Sequence, residues 1–139
     1  MVLAGEFFLA EDNESAVRVG PRKSHDFPAV LCDGIYPDDA VPRWEALFTG
    51  AESPLRYVVP MANDGCFTVF AVPQTLSTAL ASASADQLGT TALTWAKTVS
   101  ETGDEIGPDS AVDLLERLSA LAMRRAERGP SLYCWYFAP

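Results

Sequence analysis

Lysine, histidine and cysteine are all scarce in this chain. Of its 139 residues only Lys23 and Lys97 are lysines, and His25 is the sole histidine. Ten Lys and Arg stand against nineteen Asp and Glu, for a net charge of −9. Nucleic-acid binding draws much of its affinity from cations that displace counterions along the phosphates. A chain this acidic is therefore expected not to bind DNA or RNA. With one histidine, any imidazole acting as a general base has to be His25. Cys32, Cys66 and Cys134 are odd in number and far apart, which fits neither a disulfide framework nor a CxxC zinc knuckle. Each lies in an apolar stretch (AVLCDG, GCFTVF, LYCWYF), so the expectation is three buried, reduced thiols.

Other absences narrow the function further. No apolar run reaches the 18 or so residues that a membrane helix needs. The opening MVLAGEFFLAEDNE has no basic segment, and Glu6 interrupts its apolar stretch, so it is not read as a secretory signal. The expected location is cytoplasmic. Neither G-x-x-x-x-G-K-[ST] nor G-x-G-x-x-G occurs, which leaves nucleotide binding without support. The acids at Asp12 and Glu14, at Asp38 and Asp39, and at Asp104, Glu105 and Asp109 lack the twelve-residue calcium-loop pattern. No metal site and no cofactor are expected.

What is present is the mix of an ordinary globular protein, 48% hydrophobic and 21% charged. The length predicts one domain spanning 1–139. Phe7, Phe8 and Leu9 mark an opening strand, and Asp12 or Asn13 is placed to cap a short helix through Glu14 to Val17. Residues 22–26 read as a loop and 27–32 as a second strand. Asp38 and Asp39 precede a helix with Val41, Trp44, Leu47 and Phe48 at helical spacing, ended by Gly50. Strands over 55–59 and 66–72 flank the Asn63-Asp64-Gly65 turn, with Pro60 placing the first of them near an edge.

From Pro73 the period turns helical, with Leu76, Ala79, Leu80 and Ala83 on one face. Ser84 and Gln87 form a capping-box pattern opening a helix whose stripe is Leu88, Ala92, Trp95, Ala96 and Val99. Asp109 or Ser110 is expected to cap a longer helix with Val112, Leu115, Leu118, Leu121 and Ala122 inward and Arg124, Arg125 and Arg128 at its end. The run from Leu132 to Phe137 does not alternate, the mark of a strand covered on both faces. The predicted fold is thus α/β, a small mixed sheet with helices on both faces. Trp44, Trp95 and Trp135 are expected in its core.

The run Trp44-Glu45-Ala46-Leu47-Phe48-Thr49-Gly50 resembles the W-x-x-L…TG segment of the YfbM-like family, bacterial proteins of unknown function. The order of elements over residues 44–139 is similar to that family's as well, from Val72-Pro73 through the long helix to the last strand. The resemblance implies a three-layer α/β domain and carries no activity.

Function is less legible. Ser24-His25-Asp26 contains the three residue types of a hydrolytic triad, but adjacent side chains cannot place an imidazole between nucleophile and carboxylate. The leading expectation is a non-catalytic protein-interaction module. Residues 1–64 hold eleven of the acids and five bases, so Asp33, Asp38, Asp39 and Glu45 are the expected face for a basic protein partner. The alternative is a small-molecule-binding or hydrolytic enzyme using His25 with Asp26 or Asp33, and Ser24 as nucleophile.

Overall fold

A computed structural model describes residues 4–12, 14, 16, 29–32, 35–59, 67–101, 107–128 and 131–137. Its sheet contains β1 (Ala4–Ala10), β2 (Ala29–Leu31), β3 (Arg56–Val59), β4 (Phe67–Ala71) and β5 (Ser131–Phe137), in the order β2-β1-β5-β4-β3. Four helices are bounded among the described residues: α1 (Pro37–Thr49), α2 (Gln74–Ser82), α3 (Ala85–Glu101) and α4 (Pro108–Arg128). The expected α/β architecture stands, with one correction. All four strand pairings are antiparallel, so the sheet is not mixed. The unalternating β5 was expected to be covered on both faces, and that alone does not fix the direction of its neighbours. A central antiparallel strand buried on both faces produces the same run of bulky residues, and Leu132, Tyr133, Cys134 and Trp135 are indeed buried in succession.

β5 begins beside the end of β4, where Ala71 faces Tyr133 and the Val72 amide donates to the Leu132 carbonyl. The three intervening helices thus return the chain to the end of the sheet it had left. β3 lies at an edge, as Pro60 predicted, and a register shift between Tyr57 and Val59 marks its pairing with β4.

Alternation along the strands divides the core in two. Phe7, Leu9, Phe70, Leu132 and Cys134 face the layer of α1 to α4. Phe8, Ala10, Val69, Tyr133 and Trp135 face the other way, together with Ala16. Glu14 and Ala16 are helical, and the Ala16 amide donates to Asp12 O at 3.1 Å, so the short helix expected after Asp12 begins on that second face.

The helix layer is built around two indoles. Trp44 of α1 and Trp95 of α3 meet edge to face with ring centroids 5.0 Å apart, and Phe7 lies 5.8 Å from Trp44. Both indole N–H groups are buried without a hydrogen-bond partner, a cost offset by ring packing of this geometry. Ser119 of α4 fastens α2 by donating to the Leu80 carbonyl at 2.7 Å.

Helix boundaries follow local chemistry. Gly50 takes φ 80°, a left-handed conformation that ends α1 while its amide donates to Ala46 O. The Ser84–Gln87 capping box forms reciprocally: the Gln87 amide donates to Ser84 Oγ, and the Ser84 amide to Gln87 Oε1. α4 starts at Pro108, earlier than a cap at Asp109 or Ser110 would give, because proline suits the first helical position.

One expected face is turned. In α1 the buried residues are Pro37, Ala40, Val41, Trp44 and Glu45, whereas Leu47 is 42% exposed. Phe48 packs half-buried against the core as expected, while the Glu45 carboxylate takes the interior place that the spacing of Leu47 had claimed.

Candidate functional site

The acidic residues singled out from the sequence part company in three dimensions. Ser24, His25, Asp26 and Asp33 lie outside the described residues. Asp39 is exposed and ion-paired with Arg43, 3.0 Å away on the next turn of α1, and Asp38 is half-buried. Glu45 is 1% exposed and is removed from any partner-facing surface. It accepts from the Ser53 backbone amide through Oε1 and from the Thr75 hydroxyl through Oε2. A buried carboxylate needs such donors. Here they join α1, the segment after it and the start of α2, so Glu45 is a structural tie and not part of an acidic docking face.

The thiols behave as the apolar context predicted for Cys32 and Cys134, both free and buried, while Cys66 lies outside the described residues. The two described thiols approach one another over Gly5, where an added Cβ would sit 2.9 Å from Cys32 Sγ. Burial first, and then the neighbouring Cys32 thiol, push the Cys134 thiol well above its ordinary pKa. It stays in the protonated, unreactive form. β1 separates β2 from β5, and two strand spacings of about 4.8 Å exceed the Cα separation of about 7 Å that a disulfide tolerates. No metal-binding group of His, Cys, Asp and Glu occurs among the described residues.

The most open apolar surface lies where sequence reasoning did not look. β2 is an edge strand, and the Cys32 amide donates to Gly5 O at 2.9 Å. Antiparallel ladders alternate, so the backbone N–H and C=O of Leu31, one residue earlier, point away from β1. Its side chain is 64% exposed. Val30 and Cys32 turn toward the helix layer and Leu31 away from it, and between β2 and α4 lies a hollow of about 410 Å³ lined by Val30, Leu31, Arg117, Leu121 and Arg124. A smaller hollow of about 170 Å³ continues past Leu31 and Arg117 to Ile35, Ser110 and Asp113.

Along α4 the lining positions 110, 113, 117, 121 and 124 recur at steps of three and four, so one helical face forms the wall of a continuous groove. From Ser110 to Arg124 this wall is about 21 Å long at 1.5 Å per residue. Arg117 is paired with Asp113 at 2.9 Å, but both side chains are more than half exposed, which makes the pair weak and exchangeable. The spacing was visible in the sequence; that β2 would lie against it was not.

Compared with known proteins, the chain has no significant match to any family model, curated protein or solved structure. Among the described residues, no helix is long and apolar enough to cross a membrane.

Proposed function

We propose that this protein is a non-catalytic interaction module that takes an extended, acidic segment of a partner protein into the groove between β2 and α4. The observation that carries this reading is Leu31, a large exposed apolar side chain on a strand that is at the sheet's edge among the described residues, with its backbone groups alternating away from β1. Edge strands of this kind are templates for an added strand: main-chain hydrogen bonds supply affinity and side-chain pockets supply selectivity. Arg117 and Arg124 supply the charge preference. In a chain of net charge −9 they place cationic groups along one groove wall, opposite which carboxylates of the incoming segment would pair. The site differs from the acidic face expected around Asp38 and Asp39, and so does its partner's charge.

The test is fluorescence anisotropy with a labelled ten-residue peptide alternating Glu and Val. Leu31→Asp and the double variant Arg117→Glu/Arg124→Glu should each weaken binding about tenfold or more, equivalent to about 1.4 kcal/mol. Added salt should weaken it as well. Leu31 is so exposed that the first variant should unfold within about 0.5 kcal/mol of the parent. Equal binding of a Lys–Val peptide, or parent-like binding by both variants, would overturn the assignment.

A further inference from the structure

The two walls of the groove run in opposite directions. Val30 shares the larger hollow with Leu121 and Arg124, and Cys32 shares the smaller one with Asp113. Leu31 and Arg117 line both. A strand added along β2, followed from Ala29 toward Cys32, therefore meets Arg124 first, then Leu121, then Arg117 and last Asp113. On the reading that this groove takes an acidic strand, we infer that its preferred occupant has the chain order acid, apolar, apolar, any residue, acid, and pairs antiparallel to β2.

Strand geometry fixes the spacing. Side chains directly opposite one another on neighbouring strands share a face, and successive ones alternate. The residue opposite Val30 thus points to the helix layer, into the hollow of about 410 Å³ beside Leu121, and is apolar. Residues two positions to either side of it share that face. They stand about 13 Å apart along the strand, against about 10 Å between Arg117 and Arg124 along α4, a difference that long arginine side chains span. A carboxylate at each place meets one guanidinium. Arg117 gives up its exposed pairing with Asp113 at little cost. Asp113 lies beyond that acid and repels a further one, which bounds the acidic pattern at this end.

Leu31 makes the pattern asymmetric. It turns to the other face of the sheet, where at 64% exposed it gains cover from an apolar residue directly opposite. That residue falls between the one at Val30 and the acid at Arg117. On the Arg124 side the corresponding place faces only the small side chain of Ala29. An antiparallel segment therefore carries its two apolar residues straight after the first acid, and a parallel segment carries them straight before the last. Every strand pairing among the described residues is antiparallel, and that arrangement is the more stable per residue.

The experiment is fluorescence anisotropy of the full chain with three labelled ten-residue peptides. One has Glu-Val-Val-Thr-Glu at its centre between Ser and Gly flanks, the second has the reversed order Glu-Thr-Val-Val-Glu, and the third alternates Glu and Val. The alternating peptide offers α4 acids or valines but never both, so the first should bind about tenfold more tightly than it and about threefold more tightly than the second. Leu31→Ser should erase the difference between the two orders. Arg124→Gln should abolish the preference for Glu over Gln at the last position alone, and Arg117→Gln that at the first. Reversed-order binding as tight as the first peptide's, no advantage over the alternating peptide, or an intact last-position preference in Arg124→Gln would each overturn the motif while leaving the groove in place. Failure of all three peptides to bind would overturn the groove reading and the motif with it.

Discussion

Trp95 and Leu31 are both large and apolar, yet one is 1% exposed and the other 64%. Around Trp95, α1, α3 and β1 interlock through Trp44 and Phe7, and each ring is placed by its neighbours. Around Leu31 the chain contributes a three-residue strand, one helical face and open space. Hydrophobicity stabilises the fold at the first place and is left available at the second. Substitutions should therefore divide into those that cost stability and those that cost binding, a division that three measurements can test.

The largest effect belongs to the centre. Trp95→Ala should lower the free energy of unfolding by about 3–5 kcal/mol, read from urea or guanidinium midpoints, through lost burial and the cavity left behind. A loss below about 1 kcal/mol would mean that the centre is no more tightly packed than the rim. Next is the polar tie at the centre's margin. Glu45→Ala orphans the Ser53 amide and the Thr75 hydroxyl and should cost about 2 kcal/mol. Glu45→Gln, which keeps one acceptor, should cost less, and equal losses for the two variants would show that the hydrogen bonds are not what matters.

The smallest effect is a pH dependence. Cys134 has a raised pKa when folded, so the stabilisation from burying its neutral thiol is complete below the unfolded value of about 8.5. Above that pH the unfolded chain ionises first, and stability falls as pH rises. Tyr133, also raised, adds to the decline from about pH 10. Cys134→Ala should flatten the fall between pH 8 and 10 in chemical denaturation. Parallel slopes for parent and variant would remove the thiol from the account.

Where a signal was local, the sequence carried it. The Ser84–Gln87 box needs residues three apart, Gly50 needs only its own backbone, and the doubly buried β5 shows as a run of bulky side chains. Where a residue's environment is assembled from distant segments, the reading fails. Glu45 looked like a surface acid because its partners stand 8 and 30 positions away, beyond any helical spacing. Strand direction was missed for a similar reason: the return from β4 to β5 is fixed by how three helices stack. Arg124 read as one of the cations at a helix end and Arg117 drew no notice, and only the placement of β2 makes both the wall of a groove.

Antiparallel pairing of β1 with β5 sets Ala4 opposite Phe137, more than a hundred positions apart along the chain. During synthesis the first strand must then wait, unpaired on that side, until residue 137 has left the ribosome. The β3–β4 ladder joins segments close in sequence and can form while the chain is still growing, but it gains its other neighbour only with that same final segment. Closure of the sheet in this way follows every other strand pairing among the described residues. Without β5, β1 and β4 each keep an unpaired edge, the kind of exposed surface that makes incomplete chains prone to aggregate.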